Sequence, residues 1–437
     1  MTGVERATSV VPGRAAALAL CRRLARSRVA LWSAFVLVQL GYGLVNLTSP
    51  SNPMGDVRYT YAQWVDQALH AHYVVGIDGP WVYPILALVP MVLAAALGPE
   101  LYPSTWLSLV LVLDLVALGA LTGWGRPGRR LAGGWWWTLF LALVGPIGLG
   151  RIDAISVPLV IVGLVLVARR PGVAAVFVTL AAWIKVWPAA VLVALAVAAR
   201  ERAVIVRTAL VTSGVVVVLA LAFGSGLTVF SFITEQTGRG LQIEAPVSTP
   251  WMWLAAAHAP GTLVYYDTDI LTFQVSGDGT DVASALTTPA MALAVIAVVL
   301  LAVRAVRRGA EPAAVVLLLT LALATALIAF NKVASPQYVT WLAVPIAVAV
   351  ALGGVAARSV RTGGPIVLAI AALTQLVYPY LYGDVVGAEP SMIAVLTARN
   401  ALLVALFVLT VVLLARLPRA ATAVTDTVSD PDRLPTP

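Results

Sequence analysis

The sequence is poor in charge, in cysteine, in histidine and above all in lysine. Charged residues make up 11% of the 437 positions, against 60% hydrophobic ones, and the mean hydropathy is +0.94. A water-facing surface needs more polar coverage than this, so a soluble domain is excluded. One cysteine, Cys21, rules out an intramolecular disulfide. The three histidines, His70, His72 and His258, lack metal-ligand spacing, so neither a metal nor a cofactor is expected. There is no P-loop, no GxSxG and no DxD sugar-nucleotide motif within a soluble domain. The basic balance, +8 net, comes from arginines scattered between apolar runs. That pattern speaks of membrane orientation and not of nucleic acid.

What is present is a series of unbroken Ala, Val and Leu runs. Their length and lack of ten-residue alternation exclude a barrel and predict an all-α, polytopic transmembrane bundle of about twelve spans, both ends cytoplasmic. Arg6, Arg14, Arg22, Arg23 and Arg26 hold residues 1–27 inside, so the first span, 28–48, is a retained anchor that runs outward. Residues 28–415 form one transmembrane domain, with outer loops at 49–103 and 226–282 and a disordered cytoplasmic tail at 416–437. Within the first loop, 82–98 reads as re-entrant or interfacial. The arginines at 126, 129 and 130, at 169 and 170, and at 200 and 202 mark inner turns. Runs 134–150 and 154–168 therefore form a hairpin whose outer turn carries Arg151 and Asp153, and 172–199 breaks at Lys185-Val186-Trp187-Pro188. Further spans are expected at 101–122, 204–225, 283–303, 313–330, 339–355, 364–383 and 393–415, with a surface helix near Trp251 to His258.

This arrangement places both lysines of the chain, Lys185 and Lys332, at the outer boundary. Asp56 follows the first span there, where a carboxylate suits proton removal from a hydroxyl. Asp66 and Asp78 read as solvated loop residues. Asp114, inside a span, either serves a cavity or pairs with a neighbouring helix. Arg239 offers a planar fork for phosphate, while Gln242 and Glu244 suit sugar hydroxyls. Arg399, beside Asn400 inside the last span, needs an anionic partner or snorkels outward. Lys185, Lys332, Arg239 and Arg399 are candidate ligands of a donor phosphate. Arg58, Tyr59, Trp64, Trp81, Tyr83, Arg151, Asp153, Trp187, Gln242, Glu244, Gln337 and Tyr338 are candidate contacts for a sugar or acceptor. Cations at a lipid boundary suit a phosphate whose tail stays in the bilayer, and aromatics and amides suit a sugar. A transporter or flippase for a lipid-linked solute, and a degenerate scaffold subunit, remain as alternatives.

The ordered pieces GDVRYTYAQW, WVYP, KVWP, RGLQIE and NKVASPQYVTWL, with Arg399-Asn400 behind them, resemble the GT-C glycosyltransferases. The resemblance is to family 87, the actinobacterial integral-membrane enzymes that include polyprenyl-phosphate-mannose-dependent α-1,2-mannosyltransferases of phosphatidylinositol mannoside and lipoglycan synthesis. It implies a GT-C fold and inverting transfer at the outer face of the plasma membrane, with Asp56 as general base. The partners so implied are a polyprenyl-phosphate sugar, mannose or arabinofuranose, a glycolipid or glycan acceptor and the bilayer; a monomer suffices. The sequence departs from the family pattern at Ile85, where a second proline is expected, and at Gln236, where relatives often carry histidine.

Overall fold

A computed structural model describes residues 19–20, 22–125, 131–235, 238–360 and 362–420. Cys21, Gln236, the arginines at 6, 14, 126, 129, 130 and 361, and all of the tail beyond residue 420 lie outside the described residues.

The chain is a helical bundle. Among the described residues, seven helices are long and apolar enough to cross a membrane: Arg28–Thr48, Pro99–Thr122, Arg202–Ala222, Thr280–Arg307, Pro312–Ala329, Gly363–Tyr380 and Pro390–Ala415. Shorter apolar helices, among them Asp153–Leu166, Pro171–Ile184 and Pro188–Ala198, fill the space between them. At 1.5 Å per residue a 14-residue helix spans only about 21 Å, less than a ~30 Å hydrocarbon core. Such helices are too short to cross it singly, and the breaks between them carry Arg151, Asp153 and Lys185.

Pro312–Ala329 is uncharged and apolar on every side, the pattern of a helix with no solvent face. It is accordingly the most buried of the seven and sits in the largest apolar cluster with Trp137, Phe140, Trp187 and Trp341. Tight helix contacts depend on small residues, as expected where lipid gives no hydrophobic drive to association. At Gly133 a Cβ would lie 2.6 Å from that of Ala351 and 2.9 Å from the Ala347 carbonyl oxygen. Asp114, the intramembrane acid, is buried and accepts a hydrogen bond from Gln39 Nε2 of the first span. It pairs helix to helix.

Three features depart from the sequence expectation. The 226–282 segment contains, besides the Thr249–Ala256 helix, an antiparallel hairpin of β1 (Leu263–Asp267) and β2 (Thr272–Ser276). Each strand is rich in β-branched and aromatic residues, and Asp267 closes the turn by accepting from the backbone N–H of Asp269 and Ile270. The span expected to reach 383 leaves helical geometry at Tyr378, the residue before Pro379, where proline disfavours helical backbone. The span expected at 339–355 ends at Leu352, against Gly353 at φ +73°.

Gly133→Val should therefore lower the melting temperature of the purified protein by an amount corresponding to about 1–3 kcal/mol, since the facing atoms are backbone and a short side chain. Gly214, with open space around it, is the control: Gly214→Ala in a helix interior should not lower it.

Candidate functional site

Asp56 opens a π-helical turn, Asp56–Tyr61, after a short loop that follows the first span; such turns are rare and frequent at functional sites. Its Oδ2 lies 3.1 Å from Arg151 Nε. Arg151 is buried and fully engaged, donating through Nη1 to the carbonyls of Pro53 (2.7 Å) and Gly150 (2.9 Å) and through Nη2 to the Tyr378 hydroxyl (2.9 Å). The turn that carries Arg151 is pinned from several sides. Asn46 donates to the Pro146 carbonyl, Trp106 to that of Leu149, and the Ile152 N–H donates to Tyr61. At Gly145, φ is +75° and a Cβ would strike the Gln375 side chain, so glycine is required there.

Lys185 stands at the break between Pro171–Ile184 and Pro188–Ala198. Its ammonium sits over two rings, 4.5 Å from the centroid of Tyr83 and 5.4 Å from that of Tyr338. Among the described residues no carboxylate lies within ion-pair distance of it or of Arg239. Burial alone would lower the Lys185 pKa. The surrounding tyrosines and the Asp153 and Asp56 carboxylates outweigh it and leave the pKa above its ordinary value, so the group remains a cation. Arg239 Nε is buried without a hydrogen-bond partner.

Gln242 bridges Gln274 of β2, and the chain turns at once over 243–245, where the Ala245 N–H donates to the Gln242 carbonyl. Val275 N–H donates to the Leu241 carbonyl and Ile243 N–H to that of Phe273. Leu241 and Ile243 join an apolar cluster with Met252, Val275 and Ile393, and Gln242 and Glu244 are buried as well. Gln242 ties this segment to the Lys332 loop, donating from its N–H to the Lys332 carbonyl and accepting through Oε1 from the Ala334 N–H. Glu244 is 4% exposed. Burial pushes its carboxyl up to about 7, against the opposing pull of Arg399, of a hydrogen bond from Tyr382 and of Arg151. The Tyr382 hydroxyl, itself pushed up by burial and by Glu244, keeps its proton and donates it.

These groups line one cavity of about 440 Å³. Of the residues expected from sequence, its wall holds Asp56, Trp64, Tyr83, Arg151, Lys185, Arg239, Gln242, Glu244, Gln337 and Tyr338. Seven others are absent from it. Arg399 is buried behind Glu244, donating to its carbonyl and to Asn400 Oδ1. Lys332 offers its backbone to Gln242 and does not line the wall. Arg58 caps the first span, donating through Nη2 to the carbonyls of Asn46 and Leu47, and Tyr59 points outward, 67% exposed. Trp81 supports Trp64 edge-on. Trp187 stacks on Trp341, which stacks on Tyr338, so only the last of these rings reaches the cavity. Asp153 accepts from Trp341 Nε1 at 2.6 Å beneath it.

Two groups on the wall were not anticipated. The hairpin contributes Tyr266 and residues 269–273, and the kink after Gln375 contributes Tyr378 and Tyr382. Paired five-residue runs around Asp267-Thr268-Asp269, and a Tyr-Pro-Tyr interruption at the end of an apolar run, are the signals in the sequence. Among the described residues no cluster of three or more His, Cys, Asp or Glu could hold a metal ion.

The Glu244 titration has a defined sign. A carboxyl whose folded pKa is raised to about 7 contributes stability that is complete below its unfolded pKa of ~4.3 and is lost as pH rises to the folded value. Measured against Glu244→Gln, the melting temperature should fall between pH ~4.3 and about 7 and stay level outside that window.

The model of glycosyltransferase family 87 matches residues 81–330, a stretch that holds Arg151, Lys185, Arg239, Gln242 and Glu244. No curated protein matches the chain. With more than half of its length under that match, this polytopic helical membrane protein belongs to glycosyltransferase family 87.

Proposed function

We propose that this glycosyltransferase moves a sugar, mannose, from a polyprenyl-phosphate donor to a hydroxyl of a membrane glycolipid or lipoglycan at the outer face of the plasma membrane, inverting the anomeric centre. The observation that carries the reading is the content of the cavity: Asp56, paired with Arg151, shares it with two cations, Lys185 and Arg239, that form no ion pair with a carboxylate among the described residues. A phosphate would give both cations a directly bonded anionic partner.

The donor enters from the bilayer with its phosphate between Lys185 and Arg239. The acceptor oxygen attacks the anomeric carbon as the bond from that carbon to the phosphate oxygen breaks, and Asp56 takes the hydroxyl proton. The phosphate keeps the bonding electron pair, and the two cations stabilise the charge that develops on it. Arg151 holds Asp56 through one oxygen, Oδ2, which leaves Oδ1 for the proton. Both termini lie on the cytoplasmic side in this reading. The charges line one cavity, and this favours transfer over the solute-carrier alternative.

The test is an in vitro assay with purified protein and a panel of polyprenyl-phosphate sugars, mannose and arabinofuranose included, offered with membrane glycolipids. Asp56→Asn should cost about 10²- to 10⁴-fold in turnover with donor binding retained. Lys185→Ala and Arg239→Ala should raise the KM for the donor. Full turnover by Asp56→Asn, or no transfer from any polyprenyl donor by the wild type, would sink the proposal.

A further inference from the structure

Tyr378 lines the cavity, and the transfer mechanism makes no use of its hydroxyl. That hydroxyl joins two of the segments that build the site. It accepts from Arg151 Nη2 at 2.9 Å and donates to the Pro53 carbonyl at 3.3 Å. Arg151 Nη1 donates to the same carbonyl at 2.7 Å. Phenol, guanidinium and loop thus close a triangle just ahead of Asp56.

The ring itself is held in place. Arg151 Cζ lies over its face, 5.6 Å from the centroid, and Tyr382 packs against it edge-on at 5.2 Å. The backbone leaves helical geometry at this residue, with φ −139° and ψ 130°, because Pro379 follows. One turn earlier, Gln375 donates to the Tyr42 hydroxyl at 3.0 Å, and Tyr42 donates to the Ala142 carbonyl at 2.6 Å. The end of this span is therefore tied to the first span and to the helix Ala132–Val144.

What the anchor controls is the direction of one N–H. A guanidinium is planar, so its three nitrogens move together. Pro53 and Gly150 fix Nη1, Tyr378 fixes Nη2, and Nε then stands 3.1 Å from Asp56 Oδ2. With Nη1 as its only pivot the plane is free to rotate and carry Nε away. The Asp56 side chain is 40% exposed, and Arg151 is its only ion-pair partner among the described residues. Loss of the second pin loosens this carboxylate and removes no charge from the site.

On the reading of Asp56 as the base, we propose that Tyr378 is a positioning residue. Its hydroxyl fixes the plane of Arg151, and Arg151 in turn aims the Asp56 carboxylate at the acceptor hydroxyl. The kink that interrupts the span at Tyr378 is thereby part of the machinery that orients the base.

The test uses purified full-length protein, with polyprenyl-phosphate mannose as donor and octyl α-D-mannopyranoside as acceptor. Tyr378→Phe keeps the ring and deletes the hydroxyl. Its kcat should fall about ten- to hundredfold, the cost of a small misplacement of a reacting group, with the KM for donor and acceptor unchanged. Asp56→Asn should be slow by itself, and adding Tyr378→Phe to it should cost nothing further, because both changes act on one group. Hydrogen exchange reads the same anchor without turnover. Tyr378→Phe should speed exchange at residues 54–61 and leave the helix Ala132–Val144 as in the wild type.

The proposal is overturned if Tyr378→Phe raises either KM and spares kcat, which makes Tyr378 a substrate contact. It is overturned equally if Tyr378→Phe slows Asp56→Asn by the same factor as the wild type, which makes its role structural. Unchanged exchange at 54–61 also overturns it, and decides the matter where Asp56→Asn transfers too little to measure. Full turnover by Asp56→Asn strikes the base reading itself, whereas a normal kcat in Tyr378→Phe beside a slow Asp56→Asn strikes this inference alone.

Discussion

The guanidinium of Arg151 is a cation withdrawn from water, and the cavity is arranged around keeping it satisfied. Removing one partner from a buried charge pair typically costs about 3–5 kcal/mol, because the remaining charge stays desolvated. Arg151 meets that demand with Asp56, with the carbonyls of Pro53 and Gly150, and with the Tyr378 hydroxyl. These partners come from the first loop, from its own turn and from the kink before the last span. One residue thereby fixes the relative position of three distant segments. Asp56 is partly exposed to the cavity, so the anion that holds Arg151 in place is also the group free to meet a substrate.

The short helices make such a site possible. A helix that stops within the bundle leaves its last polar residues inside, where a full-length span would have carried them to water. Lys185 lies at such a stop, and so does the turn bearing Arg151. Their burial is tolerable because aromatic faces, backbone carbonyls and one carboxylate surround them. Lys185 and Arg239, which form no ion pair among the described residues, then define where a phosphate is electrostatically welcome.

Much of this was legible in the sequence because helix length, proline breaks and charge placement are local signals. The break at Lys185-Val186-Trp187-Pro188 and the turn at Arg151 follow from them directly, as does the position of Asp56 after the first run. What failed was inference from residue type to contact. Trp187, Trp81 and Asp153 look like sugar ligands on paper, yet stacking, edge contact and a bond from Trp341 place them behind the wall. Arg399 needed an anionic partner, and the chain supplies Glu244 from a segment far away in sequence. The single bridge from Gln242 to Gln274 of β2, and the turn directly after it, bring together segments that no local signal joins. Tyr378 and Tyr382 were missed because their run reads as the end of a span.

The central claim is that one cavity brings a lipid phosphate to Lys185 and Arg239 and its sugar to Asp56. A cryo-electron microscopy structure with a non-transferable polyprenyl-phosphonate sugar bound tests it most directly. The account predicts phosphonate density between Lys185 and Arg239 and an anomeric carbon facing Asp56 Oδ1. Density for the phosphonate at Arg399 or Lys332 instead, with the sugar out of reach of Asp56, would contradict it.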